Sequence, residues 1–211
     1  MADNYLEKRQ EELAHAQNKK VVRRQNPSLD TLLHCNRSYR GFDPARKVTR
    51  AELRALVGSV CLTASGMNRQ PLRFRLVCGP EAACVLPLIT LGAALPQEHL
   101  PKPGTEPGAF IVVCSDVAED RVVDIDLGFA AQSILLKATE MGLGGIFVLN
   151  FRKEALQEAL ALLLEPIAVI AIGKPAEQVF LLPAAPGDSL AYYRREGIHF
   201  VPKLPVDALL I

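Results

Sequence analysis

The chain has 211 residues, 49% of them apolar, which is enough to bury the core of one large domain. Its 24 Lys and Arg nearly balance 23 Asp and Glu, so no overall field draws it to nucleic acid or to an acidic membrane surface. Any anion it binds has to be met by a local basic cluster.

The N-terminal stretch MADNYLEKRQEELAHAQ lacks the apolar core of a secretory signal, and no run of about 18 apolar residues suggests a membrane span. A soluble, cytoplasmic protein is the expectation. Residues 5–20 are charged and helix-favouring, with Tyr5, Leu6, Leu13 and Ala14 as the apolar stripe, and residues 1–26 read as an N-terminal helical arm. Ser28 is placed to cap a short helix carrying Leu29, Leu32 and Leu33. Thr49-x-x-Glu52 fits a capping box, and Leu53, Leu56, Val57, Val60 and Cys61 follow at helical spacing to about Ala64.

Phe74 to Val77 alternates as a strand does, and Gly79-Pro80 ends it. The stretch 95–108 holds four prolines and two glycines and reads as a long ordered loop or a cover. Ala109 to Cys114 is a fully apolar strand, central in its sheet. Asp126 is read as the cap of the next helix, whose apolar residues from Leu127 to Met141 leave it apolar on most sides, so it is either the centre of the core or part of a subunit interface. Gly142 and Gly144-Gly145 stop it. A strand Ile146–Leu149, a helix 153–164 and a strand Ile167–Ile172 follow, and the tail from Pro183 is polar and aromatic. Five cysteines, an odd number without a Cys-x-x-Cys pair, read as buried free thiols.

Several chemistries are excluded. The glycines of Gly142-Leu143-Gly144-Gly145 end a helix before a strand, and Phe147 stands where a dinucleotide loop needs its third Gly. There is no Walker loop, no metal-ligand spacing of His and Cys, and no Gly-x-Ser-x-Gly elbow. The four histidines are scattered.

Two constellations remain. Arg37-Ser38-Tyr39-Arg40-Gly41-Phe42 gathers two guanidinium forks and a hydroxyl, the set a phosphate dianion needs, although by itself such a turn is commonly just solvated. Thr63-Ala64-Ser65-Gly66-Met67-Asn68-Arg69-Gln70-Pro71 is a polar loop whose Asn68 and Gln70 amides offer donor and acceptor to a heterocycle edge; otherwise it is an ordinary helix-to-strand connection.

In this order and spacing, together with Ala130-Ala131-Gln132, the Gly-Leu-Gly-Gly run and Ile167–Gly173 followed by Lys174-Pro175, the segments resemble the FMN-dependent nitroreductase family. The resemblance runs from about residue 30 to the C-terminus. It implies an α+β helix-sheet-helix sandwich with a mixed, mostly antiparallel central sheet, residues 27–211 forming a single FMN-binding domain. It further implies a homodimer with FMN at the subunit interface and a C-terminal segment wrapped on the partner. Arg37, Ser38, Arg40 and Lys203 would hold the phosphate; Ser65, Gly66, Met67, Asn68 and Gln70 would line the ring and ribityl chain; Leu149 or Asn150 would bring a backbone N–H to flavin N5.

The implied activity is a ping-pong transfer of electrons from NADH or NADPH to a small electron-poor acceptor, such as a nitroaromatic or quinone, with no side chain acting as nucleophile or base. Three residues depart from the family pattern: Asn36 where a basic residue is frequent, Leu72 in place of a tryptophan, and Asn150 in place of a glycine. The first shifts phosphate binding toward Lys203, and Asn150 touches the acceptor pocket. The alternatives are a flavin-binding module without turnover and another flavin reaction of the same superfamily.

Overall fold

The computed structural model describes residues 27–92, 95 and 98–211, so the proposed arm at 1–26 lies outside the described residues. The described residues open with α1 (Leu29–Cys35), where the Ser28 hydroxyl accepts the Thr31 N–H at 3.2 Å. Next comes α2 (Arg50–Gly58), capped by the box read from sequence: Thr49 Oγ1 accepts the Glu52 N–H at 3.2 Å, and Glu52 Oε2 accepts the Thr49 N–H at 2.8 Å. Glu52 is also paired with Arg46, and that pair, with the Thr49 bonds, holds its carboxyl at about 2. Thr49→Ala is expected to lower the unfolding free energy by about 1 kcal/mol, the usual worth of an N-cap, as read by urea denaturation. The helix then tightens into a 3-10 turn at Ser59–Leu62 instead of running on to Ala64.

The main sheet has four strands in the order β1 (Leu72–Cys78), β2 (Ala109–Ser115), β4 (Glu165–Gly173), β3 (Gly144–Val148), every pair antiparallel. Between β1 and β2 lie a short α3 (Ala82–Val85) and the proline-rich stretch, whose described residues form no regular element. The long α4 (Arg121–Glu140) joins β2 to β3, and α5 (Lys153–Ala159) joins β3 to β4. Side chains alternate across the inner strands. Ile111, Val113, Ala168, Ile170 and Ile172 pack with Leu53, Leu56, Val123, Leu127 and Ile134 of α2 and α4. Phe110, Val112, Val169 and Ala171 face the other way, onto Ala82, Val85, Leu156 and Leu160. Burial on both faces explains why β2 and β4 are continuous apolar runs in the sequence.

Four readings are corrected. First, α4 begins at Arg121: Asp120 is its cap, with Oδ1 accepting the N–H groups of Val122 and Val123 at 2.8 Å, while Asp126 is buried inside the helix. Second, α5 stops at Ala159 because Ala161 turns left-handed at φ 47°. Third, Cys35, Cys61 and Cys84 are exposed and only Cys114 is buried, although all five are free. Fourth, the tail is not merely polar and aromatic. It builds a second sheet, β5 (Val179–Pro183), β7 (Ile198–Lys203) and β6 (Tyr193–Arg195), in which β5 and β7 run parallel and Phe200 stacks on Tyr193 at 5.2 Å. Among the described residues no helix is long and apolar enough to cross a membrane.

Candidate functional site

The basic turn leaves α1 and runs beside the start of β3. Ser38 pairs in parallel with Gly145, and the Tyr39 N–H donates to the Gly145 carbonyl at 3.1 Å. That approach requires glycine: a Cβ on Gly144 would stand 2.6 Å from the Tyr39 ring, and one on Gly173 would stand 2.6 Å from Phe42. The glycine-rich run therefore does more than stop α4, because it admits the turn to the sheet. From the strand exit beyond β4, Glu177 reaches back. One of its oxygens accepts the backbone N–H groups of Arg40 and Gly41, and the other takes an ion pair from Arg194, with both of those side chains more than nine-tenths buried.

A cavity of about 290 Å³ opens at this turn. Arg37, Ser38 and Arg40 wall one side, Gln132 of α4 another, and His199 and Lys203 of β7 a third. Arg40 is 6% exposed; its guanidinium donates to the Ser38 carbonyl at 3.0 Å and to the Tyr192 hydroxyl at 3.4 Å, and lies 5.0 Å over the Tyr192 ring. Among the described residues no carboxylate comes within ion-pair distance of Arg37 or Arg40, since Glu177 is paired with Arg194. The Nε atoms of Arg37, Arg40 and Arg194 and the Nδ1 of His199 are buried without a hydrogen-bond partner. Burial pulls the pKa of both Arg37 and Arg40 down. Burial first, then the Arg40 and Arg194 charges, push the His199 imidazole down to about 4.

Unpaired charge and unpaired donors in a buried place are costly unless a ligand supplies the counterpart. The donor set fits a phosphate dianion: guanidinium forks, a lysine and a serine hydroxyl, all converging on one hollow.

The polar loop is built differently. Ser65 precedes a tight turn in which Met67, Asn68 and Gln70 have φ of 52°, 54° and 48°, a left-handed stretch without glycine at those positions. Such residues cost on the order of 1–3 kcal/mol each and persist only where their surroundings over-determine them. Here Asp126 does so: Oδ2 accepts the Ser65 hydroxyl at 2.6 Å and Oδ1 the Gly66 N–H at 2.8 Å, while Ser65 Oγ accepts the Gln70 N–H at 2.9 Å. Gly66 has no room for a side chain, because a Cβ would stand 2.3 Å from Val122 Cγ1. Asn68 and Gln70 are exposed and bonded to each other at 3.0 Å, and Met67 is 80% exposed.

Within one chain the loop and the cavity do not meet. Ser65 and Gln70 line a separate, more apolar hollow with Val60 and Phe74. Asp126 and Gln132 are six residues apart on α4, about 9 Å along its axis and on different faces. Leu149 and Asn150 follow the far end of β3, and Asn150 lines a third hollow with Thr90 and Gly92 and with Leu95, His99 and Pro101 of the proline-rich stretch. The Asn150 carbonyl accepts the Thr90 N–H at 2.9 Å. So Arg37, Ser38, Arg40 and Lys203 are gathered, and the other candidates are divided between two further places. Sequence reasoning missed Glu177, Tyr192, Arg194 and His199, which no motif marked, and gave Gln132 only as part of a pattern.

A helix-sheet-helix α+β fold with a cavity walled by cationic side chains at an arginine-bearing turn narrows the class, and the comparisons with known proteins define it. Residues 36–174 match the model of the nitroreductase family. The chain belongs to the nitroreductase family. Solved structures share the fold at low identity. A nitroreductase family protein from Streptococcus pneumoniae is 18% identical over 87% of this chain and 99% of its own, with a TM-score of 0.64. A Staphylococcus epidermidis protein, named as a candidate NAD(P)H:FMN oxidoreductase, is 18% identical over 87% and 95%, with a TM-score of 0.62. An FMN-dependent nitroreductase from Clostridium difficile is 20% identical over 70% and 87%, with a TM-score of 0.55. No curated protein matches the chain.

Proposed function

We propose that the protein is an FMN-dependent oxidoreductase that moves electrons from NADH or NADPH to a small electron-poor acceptor such as a nitroaromatic or quinone. The observation that carries this reading is the buried Arg40 guanidinium with the half-buried Arg37 beside it, neither in an ion pair with a carboxylate among the described residues, at a hollow shared with Lys203. Arg37, Arg40, Ser38 and Lys203 hold the flavin phosphate, and Gln132 and His199 close the hollow beside it. Asn36 adds no charge, so Lys203 supplies what a preceding basic residue would. When bound, FMN supplies the two-electron relay between nicotinamide and acceptor. The backbone at Leu149 and Asn150 offers its N–H groups at the far end of β3, beside a hollow that Asn150 shares with Leu95, His99 and Pro101.

The active unit is a homodimer. Ile125 and Phe129 on the outer face of α4, Leu29 and Leu33 on α1, and Leu62 are large exposed apolar residues. Covering them with a second copy would bury that surface and bring the Ser65–Gln70 loop of one protomer to the cavity of its partner. Exposed apolar patches of this kind mark association surfaces.

The direct test is the visible spectrum of the purified protein incubated with FMN, followed by turnover of a nitroaromatic or quinone with NADH and NADPH. Absence of any bound-flavin absorbance would sink the proposal. A second reading, a flavin-binding module without turnover, is favoured by the proline-rich stretch packed beside Asn150. Stopped-flow mixing with NADH and NADPH separates the two, since a module would leave its flavin oxidised.

A further inference from the structure

Asp126 is a buried carboxylate with no ion pair among the described residues, unlike Glu177, which Arg194 neutralises, and α4 does not need it. The helix is capped six residues earlier by Asp120, and the neighbours of Asp126 on the buried face are Val123, Leu127 and Ala130. An aliphatic side chain would serve that packing without desolvating a carboxylate. No Lys or Arg pairs with Asp126 among the described residues, and both of its oxygens accept bonds from the loop alone: the Ser65 hydroxyl at 2.6 Å and the Gly66 N–H at 2.8 Å. Ser65 Oγ passes the constraint on by accepting the Gln70 N–H at 2.9 Å, which closes the turn on Met67 and Asn68. The bonds span 60 and 61 residues of sequence, so they tie the loop to α4 as a tertiary constraint.

We infer that Asp126 is a positioning residue for flavin binding, which holds the Ser65–Gln70 loop in its left-handed conformation and so presents Asn68 and Gln70 to the flavin ring and ribityl chain. The inference rests on the flavin reading above. It assigns Asp126 to the ring end of the ligand and leaves the phosphate end to Arg37, Arg40 and Lys203. That division is measurable, because riboflavin has the ring and ribityl chain without the phosphate.

Wild type, Asp126→Ala, Asp126→Asn and Ser65→Ala are titrated with FMN and with riboflavin by flavin fluorescence, and inorganic phosphate is used to compete with FMN. Asp126→Ala is expected to weaken FMN and riboflavin by the same factor, tenfold or more, with inhibition by phosphate unchanged and the bound-flavin absorption bands moved toward those of free flavin. Asp126→Asn keeps an acceptor for the Gly66 N–H and is expected to recover most of the loss. Ser65→Ala leaves α4 intact and is expected to give the same parallel loss at a smaller factor, which keeps the test open if Asp126→Ala does not fold. Wild-type affinity for both flavins in Asp126→Ala or Ser65→Ala, or a loss confined to FMN, would overturn the inference while leaving the flavin reading standing. A wild type that binds neither flavin would overturn both.

Discussion

Arg40→Met is expected to weaken FMN binding about 100-fold or more and, at the same time, to leave the flavin-free protein as stable as wild type or more so. The two effects have one cause. In the free protein the Arg40 guanidinium is 6% exposed, its Nε has no partner, and its Nη atoms are satisfied only by the Ser38 carbonyl and a long bond to Tyr192. The one nearby carboxylate among the described residues, Glu177, is occupied by Arg194 and by the backbone N–H groups of Arg40 and Gly41. Replacing a buried charge that lacks a full complement of partners with an apolar side chain of similar reach is commonly neutral or stabilising.

A phosphate changes the balance, because it supplies the missing acceptors. Two charge-assisted bonds at roughly 1.5–3 kcal/mol each exceed the ~2.7 kcal/mol that corresponds to a 100-fold change in affinity. Titration with FMN and riboflavin, with thermal melts in the presence and absence of each, reads both effects. Riboflavin affinity is expected to stay at the wild-type level. A variant that loses riboflavin and FMN equally would place the phosphate somewhere other than beside Arg40.

The half of the cavity that the sequence displays is the contiguous half. Arg37, Ser38 and Arg40 lie within one turn, and their chemistry is visible without a fold. The other half arrives from far along the chain: Gln132 comes on α4, and His199 and Lys203 come on β7 through its parallel pairing with β5, which no local pattern encodes. Those strands are short, and Pro183 and Pro202 interrupt their apolar alternation, so the second sheet could not be read from periodicity.

Local signals fared well where local physics decides. The Ser28 cap and the Thr49–Glu52 box involve groups three residues apart. Asp126 shows the opposite case. A polar residue ahead of an apolar run has the form of a cap, but its carboxylate is committed to Ser65 and Gly66, and the helix had already begun at Asp120. The apolar character of α4 all round also had two causes. Its inner face is core, through Val123, Leu127 and Ile134, and its outer face exposes Ile125 and Phe129.

Acid should destabilise the flavin-free protein from about pH 6.5 downward, and the group responsible is His199. The imidazole is 2% exposed, packs 5.1 Å from the Tyr192 ring, and faces Arg40, Arg194 and Glu177. Burial and the two guanidiniums hold it down to about 4 in the folded state, against about 6.5 in an unfolded chain. Between those values the unfolded chain binds a proton that the folded protein does not. Stability therefore falls as pH falls from 6.5 toward 4, by about 3 kcal/mol in all, and this contribution is flat above and below the window. Glu52, held at about 2, acts lower down: its contribution is present above about 4.5 and is lost as pH falls toward 2, so it leaves the interval from 6.5 to 4.5 to the histidine. Urea denaturation at several pH values across that interval should show a falling limb in wild type that is absent in His199→Phe, a substitution that keeps an aromatic ring against Tyr192. Parallel limbs in the two proteins would mean that another group carries the acid sensitivity. Phosphate bound in the cavity adds negative charge beside the imidazole and favours its protonated form, so the limb should flatten when FMN is present, tying the pH response of the fold to occupancy of the Arg40 site.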